Sequence, residues 1–152
     1  MKVKIKKLHP DAAIPKYAHE GDSGFDLVAI EDVDIYPGET KLIKTGISLS
    51  VDRGFELQIR PRSGLSLKTP LRVANSPGTI DSSYTGQIAV IMEHILTKSN
   101  TVGALRSVPH TIHKGERVAQ GVVCPVVRVE FVEVESLDET DRNSGGFGSS
   151  GV

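Results

Sequence analysis

Hydrophobic positions along this chain recur at every second residue. Ile47, Leu49 and Val51 alternate with Ser48 and Ser50, and Phe55, Leu57 and Ile59 alternate with Glu56, Gln58 and Arg60. Ile88, Val90 and Met92 share one face of a further segment. A period of two is the mark of strands with one buried face. The Val-rich run 118–134 contains Pro125. Proline has no N–H to give to a ladder, so this run predicts two strands joined at a corner or bulge. Pro37-Gly38, Asp52-Arg53-Gly54, Ser76-Pro77-Gly78 and Lys114-Gly115 punctuate the strands as turns. No long stretch keeps an amphipathic helical period, and residues 62–67 invite a single helical turn. Many short strands at this spacing predict an all-β sandwich or barrel.

After residue 135 the texture changes. Residues 136–141 are acidic, and 142–152 are rich in Gly and Ser. The organisation expected is a core over residues 1–136 and an arm over 137–152, with 97–109 as a long polar loop. Composition, 38% hydrophobic and 24% charged over 152 residues, suits one soluble domain with a sizeable core. A net charge of -1 argues against general nucleic-acid binding, which calls for a basic excess. Any anion site must therefore be built locally. Cys124 is the sole cysteine, which excludes an intrachain disulfide. The basic start lacks a following apolar run, and no apolar stretch reaches the roughly 20 residues of a membrane helix. The expectation is a cytoplasmic protein with no membrane partner.

Several segments carry candidate chemistry. In the tail, Arg142 offers a planar fork for phosphate and Phe147 a flat face for a base, among glycines that permit close approach; the plainer reading is a disordered end or a cloning scar. Residues 78–87 read as a long hairpin with Asp81 as a candidate base and Tyr84 as a wall, or as a turn cap and a packing ring. Residues 61–66 resemble a strand end entering a helix, where Arg62, Ser63 and backbone N–H groups can meet an anion. Asp26, after a glycine turn, is a candidate for a hard cation, and Gln120 for a phosphate; each is equally an ordinary turn or strand residue. His110 and His113 fall on opposite faces of a strand, which with one Cys argues against zinc. Cys124 reads as a small buried hydrophobe. Neither a phosphate loop of the G-x-x-x-x-G-K-[ST] kind nor a dinucleotide fingerprint occurs.

Taken in order, these segments resemble the five motifs of the trimeric deoxyuridine triphosphatase (dUTPase) family: G-D-S-G-F-D-L-V-A at 21–29, P-R-S-G-L-S at 61–66, G-T-I-D-S-S-Y-T-G-Q at 78–87, G-E-R-V-A-Q at 115–120 and R-N-S-G-G-F-G-S-S-G at 142–151. The resemblance spans nearly the whole chain and sets aside the cloning-scar reading. It implies a jelly-roll-like β-barrel that forms a homotrimer with sites between subunits, the arm of one chain covering a site built by others. It implies hydrolysis of dUTP to dUMP and pyrophosphate, which limits uracil incorporation into DNA and supplies dUMP for thymidylate synthesis. By position, Asp81 would activate the water that attacks the α-phosphorus. Asn75, Gly78 and the rest of the hairpin over 75–84 would read uracil, and Tyr84 would pack on the deoxyribose and exclude a 2′-hydroxyl. Arg62, Ser63, Gly64 and Gln120 would hold phosphates, with Asp26 meeting Mg2+ through water. Arg142 and Ser149 would grip the γ-phosphate, with Gly148 beside them and Phe147 stacked on the base.

The chain departs from the family pattern at Ser83, where an acid is common, at Thr85, where a longer polar residue is common, and at Asn143-Ser144. The 97–109 segment is longer than usual. Two other readings share parts of this pattern. A dCTP deaminase has the same barrel, but Tyr84 and the intact 142–151 arm favour dUTPase. A dUTPase-like module that binds a regulatory protein finds its only motive in the 97–109 loop.

Overall fold

The computed structural model describes residues 1–96 and 108–146. Most of the 97–109 loop lies outside the described residues, as do Phe147, Gly148 and Ser149. The element order is β1 (Lys4–Lys7), β2 (Phe25–Val28), β3 (Val33–Ile35), β4 (Thr40–Lys44), β5 (Ile47–Ser50), β6 (Phe55–Arg60), α1 (Ser63–Lys68), β7 (Leu71–Val73), β8 (Gly78–Ile80), β9 (Ala89–His94), β10 (His110–Ile112) and β11 (Arg117–Pro125). The strands form four sheets, ordered β1-β5, β10-β3, β2-β11-β6-β8 and β4-β9-β7. All pairs are antiparallel. This is the all-β class that the alternation predicts, and it fits the jelly-roll-like fold that the resemblance implies. No described helix is long and apolar enough to cross a membrane.

One apolar core gathers side chains from every sheet: Ile47 and Leu49, Ile35 and Ile112, Leu27, Leu57 and Val118, and Ile43, Val90 and Met92. In β6 the alternation holds at Leu57 and Ile59 and fails at the strand's start, where Phe55 is exposed. Leu57 and Ile59 point inward, at 0% and 3% exposure, and each such burial is worth about 1.5–3 kcal/mol. On the opposite face Arg60 donates to Gln58 and Gln58 donates to Glu56, a polar ladder along the strand.

β11 is the spine of the sheet that carries the site, pairing with β2 on one side and β6 on the other. Gln120 lies opposite both Asp26 and Arg60. One β-strand thus joins three of the segments singled out in the sequence.

The structure departs from the sequence reading in three places. The run 118–134 forms one strand, ending at Pro125, and residues 126–146 contain none. Val127, Val129 and Phe131 stand 87%, 65% and 93% exposed. Alternation alone makes no strand where the chain supplies no neighbouring ladder. Ser48, predicted on a wet face, is buried, because its hydroxyl donates to the Thr85 carbonyl at 2.6 Å. Cys124 is only half-buried and lies 3.4 Å from Arg60 Nη2, at the edge of the polar ladder instead of in the core.

His110 sits on β10 against β3. Burial, and then repulsion from His94, hold its imidazole below the ordinary value, outweighing the pull of Glu116. The unfolded chain therefore binds a proton there more readily than the folded one. Stability present above the ordinary histidine range is lost as pH falls through the depressed folded value. His110→Gln should flatten the acid side of a plot of melting temperature against pH, below the ordinary histidine range; an unchanged slope would remove His110 as its cause.

Candidate active site

The turn at residues 19–24 and the start of β2 bring Asp26 to the open end of the central sheet. Both carboxylate oxygens are engaged. Arg62 Nε approaches Oδ1 at 2.7 Å, and Arg117 Nη1 approaches Oδ2 at 3.2 Å. Arg62 also donates to the Arg117 carbonyl at 3.3 Å, which ties the two cations into one unit. Asp26 and Arg62 are about a quarter exposed, so the pair is half-desolvated and its geometry is held. Asp26 acts here as an orienting anion for two guanidiniums.

Around this unit lies a cavity of about 370 Å³, lined by Asp22, Gly24, Ser63, Gly64, Arg117 and Gln120 among others. Ser63 and Gly64 begin α1, whose N-cap position, Arg62, makes no side-chain cap. Their first-turn N–H groups are thus left for an anion. Gln120 donates its amide to the Pro61 carbonyl at 2.8 Å. The amide carries a second N–H, which remains for a ligand. Gln120 can lie so flat because Gly24 has no side chain: a Cβ there would sit 2.6 Å from Gln120 Oε1. A shallower cavity of about 570 Å³ joins Ser63 and Gln120 to Arg60 and to Ser76-Pro77 at the base of the β8 hairpin.

Arg117 is the residue that sequence reasoning missed. A strict period of two sets residues 117 and 120 on opposite faces. The register slips between Arg117 and Ala119, and both line the same cavity. The only signal in the sequence was a cation inside the fourth segment.

Asp81 lies elsewhere. It follows β8 at the sheet's other edge and lines a separate cavity of about 580 Å³ with Arg53, Glu56, Ser82, Ser83 and Arg128. Its carbonyl takes the Tyr84 N–H at 3.0 Å. Its carboxylate has no hydrogen bond or ion pair among the described residues, which leaves it free to hold a water. Tyr84 is 46% exposed on the same turn. Asn75 lies against Gly78, 3.2 Å from where a Cβ would be. Arg142 stands exposed on the arm, its Nε donating to the Gly145 carbonyl at 2.8 Å, and lines neither the Asp26 nor the Asp81 cavity. Within one chain, then, Asp26, Arg62, Ser63, Gly64 and Gln120 come together, while Asp81, Tyr84 and Arg142 stand apart from them.

This is an all-β, jelly-roll-like protein with a hollow lined by two arginines, a set of donors suited to an anion, and an unpaired aspartate at the sheet's opposite edge. The family model described as dUTPase matches residues 10–151. The chain is 51% identical over 152 residues to the deoxyuridine 5′-triphosphate nucleotidohydrolase of Helicobacter pylori strain P12, covering all of this chain and 98% of that one. It is 50% identical to that of Picosynechococcus sp., with both chains covered in full. Among solved structures it matches a mutant dUTPase of Staphylococcus bacteriophage 80alpha with dUpNHpp, at a TM-score of 0.86 and 29% identity over 99% of each chain. The chain belongs to the dUTPase family.

Proposed function

We propose that this protein hydrolyses dUTP to dUMP and pyrophosphate, with Asp81 as the base. The observation that carries the reading is the cavity in which the first, second and fourth segments meet, in a chain of the dUTPase family. Arg62 and Arg117, held by Asp26, present two cations to a triphosphate. The α1 N–H groups, Ser63 and Gln120 add directed donors. Such donors stabilise charge that grows on the bridging oxygen as the bond to the α-phosphorus breaks. Asp81 orients a water for in-line attack and takes its proton. The turnover thus removes dUTP from the pool available to DNA synthesis and yields dUMP.

Magnesium fits as a companion of the substrate. Among the described residues no group of three His, Cys, Asp or Glu side chains can hold a metal ion. Asp22 already accepts from the His19 N–H, and Asp26 is matched by two arginines. Mg2+ retains several waters and binds through one or two carboxylates plus phosphates. Asp26 would therefore meet it through water, and the ion when bound would neutralise charge on the triphosphate.

The separation of Asp81 from the Arg62 cavity supports sites shared between the subunits of a homotrimer. The segment that leads into the arm supports it as well, since Val127, Phe131 and Val132 are exposed. The apolar groove lined by Val3, Ile5, Tyr17, Phe25 and Val123 is of a kind to receive such side chains.

The test is to incubate the protein with magnesium and each of dUTP, dCTP, dTTP and UTP, and to measure pyrophosphate. Release from dUTP alone is expected. Ammonia from dCTP, or strong turnover of dTTP, would replace this reading.

A further inference from the structure

Tyr84 is a half-exposed ring on a surface hairpin, and an unrestrained ring there would sample several rotamers. Three contacts hold it in one. Its hydroxyl donates to the Gln87 carbonyl at 3.0 Å. Its N–H closes the turn on the Asp81 carbonyl at 3.0 Å. The ring itself lies over Gly86: a Cβ on that residue would be 2.5 Å from Tyr84 Oη, 2.6 Å from Cζ and 3.1 Å from Cε2.

Gly86 is not a glycine for backbone reasons. Among the described residues the glycines with positive φ are Gly21, Gly38, Gly46, Gly54 and Gly115, and Gly86 is not one of them. An L-residue could adopt its conformation, so the space under the Tyr84 ring is what the position requires. The backbone on either side of Gly86 cannot yield. The Thr85 carbonyl is anchored by the buried Ser48 hydroxyl at 2.6 Å, and the Ile88 N–H donates to the Ile47 carbonyl at 2.8 Å. A methyl group at position 86 would therefore displace the ring and break its bond to Gln87, and leave the hairpin in place.

We infer that Gly86 is a positioning residue for sugar selection: by seating the Tyr84 ring against the hairpin, it keeps the wall that excludes a 2′-hydroxyl in place. This rests on the reading of the protein as a dUTP hydrolase and on the role of sugar wall that the resemblance implies for Tyr84. Ser48 is the anchor that makes the seat rigid. Asp81 lines a cavity that Tyr84 does not line, and its carboxylate is unpaired among the described residues, so a tilted ring changes binding of the sugar more than activation of the water.

The experiment measures kcat and KM for dUTP and UTP in the wild type, Gly86→Ala, Tyr84→Ala, the double variant and Tyr84→Phe, with melting temperatures alongside. In Gly86→Ala the preference for dUTP over UTP, taken as the ratio of kcat/KM, should fall about tenfold. KM for dUTP should rise several-fold and kcat move less. Because Gly86 acts through the ring, Gly86→Ala should change nothing further in the Tyr84→Ala background. A merely structural role for Gly86 would give the same loss in both backgrounds, and that result overturns the inference, as does an unchanged dUTP-to-UTP ratio in Gly86→Ala. If Gly86→Ala fails to fold, Tyr84→Phe decides: it removes the bond to Gln87 without crowding, so a relaxed ratio supports the clasp and an unchanged one overturns it. A wild type that turns over no dUTP overturns the functional reading together with this one, whereas an active wild type with an unmoved ratio overturns this one alone.

Discussion

Asp81→Asn lowers kcat for dUTP by about three orders of magnitude, within the 10²–10⁴ range of a lost general base, while KM changes little. The amide has the shape of the carboxylate and can still hold the water, but it cannot accept its proton. Nothing in the fold opposes the change. The Asp81 carboxylate has no partner among the described residues, and the bond that closes the turn runs from the Tyr84 N–H to the Asp81 carbonyl. The melting temperature should therefore stay where it is. Steady-state kinetics with dUTP, and binding of a non-hydrolysable imido analogue, separate the two quantities. Activity near that of the wild type would remove Asp81 from its role, and weak analogue binding would make it a binding residue.

Deletion of residues 142–152 leaves a folded protein of unchanged assembly whose kcat/KM for dUTP is down by a factor on the order of 10² or more. The deleted Arg142 and Phe147 are, in the proposed reading, a cation on the terminal phosphate and a ring on the base. A charge-assisted hydrogen bond is worth about 1.5–3 kcal/mol and base stacking about 1–3 kcal/mol. Losing both gives the factor stated. Among the described residues of this segment, the bonds of Arg142 and Asn143 run to Thr140 and Gly145 within the arm. Light scattering and thermal unfolding report on assembly and fold, and Arg142→Gln and Phe147→Ala apportion the loss. A truncated chain that hydrolyses dUTP normally would make the tail a linker.

Much of the scaffold was legible because burial imposes a period. Leu57 and Ile59 announce an inward face, and Arg62 to Leu67 announce a turn of helix where α1 (Ser63–Lys68) forms. What was not legible depends on partners distant in the chain. Ser48 looks like a wet residue until Thr85 closes over it. Arg117 looks like an outward strand residue until the register slips beside it. Asp26 is also met on both oxygens by two arginines, one of them 91 residues away, a partnership the local sequence does not show.

The sequence by itself determined the all-β class and, through side-chain chemistry, the candidates for binding and reaction: an acid on a hairpin, an Arg-Ser-Gly turn, a Gln in a strand, an Arg and a Phe in a glycine-rich tail. Only the tertiary structure decided which of them share a cavity. Hydrogen-bonded pairing across β2, β11 and β6 brings Asp26, Gln120 and the Arg62 turn into one hollow, and the same sheet carries Asp81 to its opposite edge. Pairing between strands far apart in sequence is set by register and by core packing, and neither is written in the local pattern. Val127, Val129 and Phe131, which alternate as a strand would, stay exposed because none of the described strands pairs with them.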